Sequence, residues 1–403
     1  MVNVCVTGMA WSTALGTGMT EVWRRLLNGE TGITEVPSEH RLRSVLAAPV
    51  TVSTETPNPS ARQRALAYDT MTRAWADAGF QTPDVPPGDD RRRGDRRRGD
   101  RLGGHRLDDE PYVVVGTSFG AHLDDEDAPL DRWAVEVARD MGMSRPPVVV
   151  STACSSGSDA IAVGAALLRS GAANVCCCAG VDVLSPAKRL GHSALGTMSP
   201  TLLRAFDRRA DGTVLGEGGG CLVLETEQSA RLRGAVPYAV VLGAGAANDG
   251  AGMTAPDPSG DSVVRAVRRS LTGTGFGLGD VTVVNAHATG TPANDAVETA
   301  SLARLFTAKD RPVVFATKGA FGHSLGATGA VEAIAVILAL RDGCAPPVNG
   351  LRHGPDGFAP PIPTGRPASV ERGVGLSLSL GFGGFITCLA FGPAAWNRND
   401  HLG

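Results

Sequence analysis

Two fifteen-residue stretches constrain this chain more than anything else in it. GSDAIAVGAALLRSG (157–171) aligns without gaps on GAVEAIAVILALRDG (329–343), keeping both end glycines and the Leu-Arg pair before the second. Each reads as a helix that is apolar nearly all round, and such a helix must be buried on every side. Two of them in one chain imply a middle layer enclosed between two sheets. Short apolar runs bounded by Gly and Pro read as buried strands. They are VNVCVTG, YVVVG, PVVVS, NVCCCAG and CLVLE in the first half, then YAVVLGA, VTVVNA, PVVFA, VGLSLSLG and ITCLAFG in the second. GEGG (216–219) and GFGG (381–384) each precede a closing strand. The pattern predicts an α/β fold with largely parallel, covered sheets. Its two similar halves are 1–235 and 236–403.

One pairing of the halves breaks. Four residues separate Phe276 from the next strand, whereas about thirty separate Phe80 from YVVV. The excess lies in a charged insertion over 84–110, with DRRRG at 90–94 and again at 95–99. Eight Arg there face seven Asp or Glu between Asp89 and Glu110, so the segment reads as a solvated surface loop. Docking of an acidic carrier protein is the alternative reading.

Composition closes off several classes. The chain is 42% hydrophobic and 20% charged, as in ordinary globular domains. A formal net charge of −3 gives no cause to expect nucleic acid or an anionic membrane. No apolar run reaches a membrane-spanning length, and the first residues lack a signal-peptide pattern, so a cytoplasmic location is expected. Eight cysteines without a CxxC pair suit neither a disulfide scaffold nor a structural zinc site. Cys176, Cys177 and Cys178 read as buried strand. Lysine is scarce, three against 35 Arg, which makes Lys318 conspicuous beside GAFGH.

Cys154 stands where VVVSTACSSG turns from a strand into the first apolar helix. Buried filler and nucleophile are both open readings. A helix N-terminus lowers a thiol pKa through its unpaired N–H groups, and small neighbours leave room for a substrate. His287, in NAHATGTPANDAVE, follows an apolar strand. His323, in KGAFGHSLGATGAVEA, precedes the second apolar helix. Taken singly, each reads first as a structural histidine; three such residues at strand-to-helix junctions favour a site. If the two helices pack as a pair, the internal match brings His323 to Cys154.

Together STACSSG, LRAFDRRADGTVLGEGGGCLVLE, HATGTPAND, KGAFGHSLGATGAVEA and LGFGGF resemble the β-ketoacyl synthases of the thiolase superfamily, from Val2 to Phe391. The resemblance implies a five-layer αβαβα fold with two buried central helices. It implies that Cys154 attacks an acyl thioester, with the N–H groups of Cys154 and Phe382 as oxyanion hole and Phe382 as gate. His287 and His323 would hydrogen-bond the malonyl thioester carbonyl, and Lys318 would orient the site. Thr289 and Thr291 match positions that contact pantetheine, and Glu217 keeps a supporting role. No metal or nicotinamide is implied: both substrates arrive on the phosphopantetheine of a separate acyl carrier protein. A homodimer, or a heterodimer with a related subunit, is implied as well.

The chain also departs from the family pattern. Cys154 follows Gly116 by only 38 positions, which shortens a segment that lines the acyl pocket and touches the other subunit in relatives. Leu378 and Leu380 replace Asn and Phe, Phe385-Ile386 replaces Thr-Asn, and Ala288 replaces Gly. Decarboxylative condensation in polyketide or specialised fatty-acid synthesis is the leading expectation. Two alternatives stand beside it: acyl transfer from Cys154 to an alcohol or amine, and a non-catalytic subunit like the chain-length factors. The latter lack the cysteine. A thiolase would need a second cysteine where Phe382 stands.

Overall fold

A computed structural model describes residues 2–52, 58–82, 110–120, 122, 124, 129–307 and 309–394. The insertion expected over 84–110 lies outside them except for Glu110, whose carboxylate accepts from the Ser144 hydroxyl at 2.7 Å and the Arg145 N–H at 3.0 Å.

Ten strands form the frame. β1 (Val4–Ser12), β2 (Tyr112–Gly116), β3 (Val148–Val150), β4 (Val175–Asp182) and β5 (Gly218–Thr226) fall in the first half. β6 (Ala239–Asn248), β7 (Val281–Asn285), β8 (Val313–Phe315), β9 (Val374–Gly381) and β10 (Phe385–Pro393) fall in the second. The first five order as β3-β2-β4-β5-β1 and the second as β8-β7-β9-β10-β6, which is the same connectivity used twice. β1 and β6 join the two sets edge to edge, pairing Val4 with Val241 and Val6 with Ala239.

The expectation of largely parallel sheets needs correction. In each set two strand pairs are parallel, and the closing strand runs antiparallel to both its neighbours. The reason is local in the second half: β9 and β10 are joined by the glycine turn after Leu380, and so short a link can only reverse the chain.

Six helices fill the layers: α1 (Pro59–Asp77), α2 (Arg132–Asp140), α3 (Ser156–Arg169), α4 (Asp261–Leu271), α5 (Pro292–Leu305) and α6 (Thr328–Asp342). α1 packs on β1, β5 and β4, and α4 packs on β6 and β10. α3 and α6 pack on each other and on strands of both sets, so they form the enclosed middle layer. Every α6 side chain from Thr328 to Ala339 is buried. Cys176, Cys177 and Cys178 sit inside β4 with no exposed surface.

The crossing of α3 and α6 is reciprocal. A Cβ on Gly157 would lie 2.8 Å from the Ala330 nitrogen, and one on Gly329 would lie 2.2 Å from Ser158 Oγ. Those glycines are partners in the internal alignment, so each is pressed against the residue that follows the other. The turns ahead of them match too. Ala153 (φ 52°) and Leu325 (φ 50°) are both left-handed, and each opens a short 3-10 turn leading into its helix. Left-handed backbone at a non-glycine residue costs on the order of 1–3 kcal/mol, which packing must offset.

This contact is expected to tolerate no extra methyl. Gly157→Ala or Gly329→Ala should lower stability by about 1–3 kcal/mol, measured as a fall in the denaturation midpoint. Gly191→Ala, with nothing within 4 Å of the added carbon, should not destabilise.

Candidate active site

The paired elbows deliver the sulfur and one imidazole to the same point. Cys154 Sγ lies 3.2 Å from His323 Nε2. The ring of His287 stands edge-on to that of His323, with centroids 5.2 Å apart. One ligand atom from each of Cys154, His287 and His323 fits within 4.8 Å of the others, although the residues are spread over 170 positions of sequence. All three are almost completely buried, at 4%, 2% and 3% exposure. They line a cavity of about 200 Å³ together with Thr289, Thr291 and Phe382. The Thr289 and Thr291 hydroxyls bond one another at 2.8 Å. Of the departures noted in the sequence, Leu380 and Ile386 also line this cavity, while Leu378 is core.

The glycine loop after β9 closes over the sulfur. A Cβ on Gly381 would meet Thr152 O at 2.7 Å and Cys154 N at 3.2 Å, so only a bare α-carbon lets the loop approach. One residue on, the Phe382 N–H hydrogen-bonds the Cys154 sulfur.

Electrostatics here run against one expectation from sequence. The helix N-terminus was expected to lower the Cys154 pKa; instead burial pushes the thiol up to about 12, against the opposing pull of the Lys318 charge and the Phe382 N–H. Desolvation of an enclosed sulfur outweighs the pull of a helix terminus. Burial, helped by the Lys318 charge, also holds His287 and His323 well below the usual histidine range. Near neutral pH the trio is therefore a thiol and two neutral imidazoles. The thiol proton has an acceptor beside it in His323 Nε2. His323 Nδ1 lies 3.0 Å from the Thr328 hydroxyl, which can donate or accept and so supports either tautomer.

Lys318 is set behind the cavity, not in it. Its ammonium donates to the His287 carbonyl and to Glu332 Oε1 at 2.7 Å, and both partners of the ion pair are 1% exposed. Glu332 also accepts from the Thr317 hydroxyl at 3.1 Å. The sequence did carry a signal for Glu332: it is the one charge in the stretch Thr328–Ala339, apolar on either side of it, and a buried charge requires a partner.

A second carboxylate group shapes the His287 turn. Glu298 accepts the N–H groups of His287 (2.7 Å) and Ala288, and Asp295 accepts those of Phe206 (2.7 Å) and Gly290 (3.1 Å). Burial raises Glu298 to about 7 and Asp295 to about 6. Ala288, standing where glycine was expected, is left-handed at φ 41°, and the Glu298 bonds hold it there. Asp295 and Glu298 are three apart on one face of α5, a spacing that sequence reading passed over. Glu217, expected to support the fold, bonds Arg62, the Val50 N–H at 2.9 Å and the Leu184 N–H at 3.1 Å. The three cavity ligand atoms are also the one group among the described residues able to hold a metal ion; the Lys318 charge acting on all three opposes a cation there.

A thiol pushed up to about 12 gains thiolate tenfold with each pH unit below that value. Alkylation of Cys154 by iodoacetamide, followed by peptide mass, should accelerate about tenfold per unit from pH 7 through pH 10 without levelling. A plateau near pH 8 would contradict the direction of the shift.

Comparison with known proteins agrees with this geometry. Residues 1–94 and 131–230 match the family described as beta-ketoacyl synthase, N-terminal domain, and 238–352 match its C-terminal domain. The mitochondrial 3-oxoacyl-[acyl-carrier-protein] synthase of Arabidopsis thaliana is 32% identical over 96% of this chain and 93% of its own length. 3-oxoacyl-[acyl-carrier-protein] synthase 2 of Mycobacterium bovis is 38% identical over 60% of this chain, and the match spans 60% of that relative's length. A solved structure described as the ishigamide ketosynthase/chain length factor superposes with a TM-score of 0.82 at 26% identity, covering 97% of this chain and 99% of its own. The repeated sheet, the enclosed helix pair and these matches make the chain a member of the β-ketoacyl synthase family.

Proposed function

We propose that this protein catalyses decarboxylative condensation of an acyl thioester, held on Cys154, with a malonyl unit carried by a separate acyl carrier protein. The observation that carries this reading is the 3.2 Å contact between a buried thiol and a neutral imidazole, with a second neutral imidazole beside it. In the first step His323 Nε2 accepts the thiol proton and the sulfur attacks the acyl carbonyl. The N–H groups of Cys154 and Phe382 stabilise the oxyanion, the donor's carrier thiol leaves with the proton, and acyl-Cys154 remains. In the second step His323 carries its proton on Nε2, the tautomer that the Thr328 hydroxyl supports by donating to Nδ1, and the malonyl thioester carbonyl accepts hydrogen bonds from His287 and His323. The C–CO₂ bond breaks, its electron pair forms the enolate, and the enolate carbon attacks the acyl-Cys154 carbonyl. The tetrahedral adduct collapses to a 3-oxoacyl thioester and expels the Cys154 thiolate, which takes a proton from water to restore the resting thiol.

Lys318 acts from behind: burial first, and its charge in addition, keep both imidazoles unprotonated, so that each can offer an N–H to a carbonyl without becoming an acid. Thr289 and Thr291 would meet the pantetheine arm at the cavity wall, and no further cofactor is required. In this reading the halves divide the labour: 1–235 supplies the nucleophile and 236–403 the two histidines. The carrier protein is the substrate-bearing partner. Edge strand β3, with its half-buried valines, is the surface for pairing with a second subunit, the same chain or a related one. Polyketide or specialised fatty-acid assembly is the setting that the altered cavity wall favours.

Intact-protein mass spectrometry with acyl-carrier thioesters tests this. Wild type should gain one acyl group and lose it, with CO₂ release, to a 3-oxoacyl carrier when malonyl-carrier is added. Cys154→Ala should gain none. His287→Ala should still load but condense about 100-fold more slowly or worse. Loading of Cys154→Ala would sink the assignment, and discharge without CO₂ would point to transfer onto an alcohol or amine.

A further inference from the structure

A third histidine reaches the cavity without a part in the condensation. His192, on the helix Pro186–Ala194, lines it beside Cys154 and lies in stacked contact with the Phe382 ring, centroids 5.6 Å apart and 24° from parallel. Its Nδ1 is 2.9 Å from the Thr197 hydroxyl. That hydroxyl has one hydrogen, and Thr197 also bonds the His192 carbonyl at 3.2 Å. With the hydrogen on the carbonyl, Thr197 Oγ1 accepts from Nδ1–H, and Nε2 keeps a lone pair that has no partner among the described residues. Burial lowers His192 to about 4, so the ring is neutral at working pH.

Thr213 is the second unused group. It lines the same cavity, is 2% exposed, and its hydroxyl has no hydrogen-bond partner among the described residues. Its backbone N–H donates to the Thr197 carbonyl at 2.8 Å, so Thr197 sits between the two groups. A buried hydroxyl left unpaired costs about 1–3 kcal/mol, a penalty a ligand with the matching group would remove. An alkyl chain cannot do so. An oxo group could accept from Thr213 but offers nothing to a lone pair on Nε2. A hydroxyl does both.

We propose that His192, Thr197 and Thr213 form a recognition patch for a hydroxylated acyl chain on Cys154. The substrate hydroxyl donates to His192 Nε2 and accepts from Thr213, while Thr197 orients the ring. His192 and Thr213 are specificity residues, and Thr197 is a positioning residue. The proposal rests on the acyl-Cys154 reading above and names its substrate class.

The test is competitive loading of the full chain with equimolar pairs of acyl thioesters of equal length, one plain and one hydroxylated at C3 or at C5. Intact mass separates the adducts by one oxygen. Wild type should favour a hydroxylated member about tenfold. His192→Phe, which keeps the stack on Phe382, should erase or invert that preference, and Thr213→Val should reduce it. Thr197→Val should weaken the preference by freeing the ring. A 3-oxo thioester should compete no better than the plain chain. Equal loading in wild type, or an unchanged ratio in both His192→Phe and Thr213→Val, overturns this proposal while leaving the nucleophile intact. Failure of every thioester to load overturns the condensation reading and this one with it.

Discussion

The structure depends on one close contact, the crossing of two buried helices at Gly157 and Gly329. Helices with ordinary side chains at their interface stay 8–10 Å apart. Here the first turns touch backbone to backbone, and each helix is preceded by an elbow of the same geometry. Because the elbows are related by the internal repeat, whatever one places at the shared point the other places opposite. The sulfur comes from the first elbow and an imidazole from the second. The closeness of sulfur and imidazole thus follows from the internal repeat, and the sheets and outer helices serve to hold that crossing shut.

Charge is arranged around the crossing with the same economy. The sulfur and the two imidazoles beside it are neutral, and two buried ion pairs stand a layer behind them. Lys318 and Glu332 pair beneath the His287 carbonyl. Lys188 and Asp182 pair at the end of β4, where Asp182 also accepts the Gly326 N–H at 3.0 Å and the Ser118 N–H at 2.9 Å. Asp182 therefore ties the first half's sheet to the turn that carries His323. Removing one partner of a buried pair leaves an uncompensated charge and costs about 3–5 kcal/mol. These pairs act at a distance, through the positions and protonation states of the residues they back.

Much of this was legible before any coordinates. The gap-free helix match was enough to bring His323 to Cys154, and the family resemblance added His287 to the same cavity. What escaped has a common cause. Glu298, Glu332, Thr328 and Asp182 matter through partners reached across a turn or between strands, from 5 to 144 positions away, and spacing along a chain carries no distance between such groups. The direction of the Cys154 shift escaped for another reason. A helix terminus can be read from local residues, but the depth of the sulfur depends on how the Gly381 loop folds over it. The antiparallel closing strands were hidden because a fully buried strand reads the same in either direction.

The scarcity of lysine acquires a practical meaning once the fold is known. Of three lysines, Lys188 and Lys318 are sealed in ion pairs and Lys309 alone is exposed. Reagents aimed at side-chain amines will therefore find a single address on the folded molecule. Tethering through Lys309 would immobilise the protein in one orientation, with its chemistry untouched by the coupling.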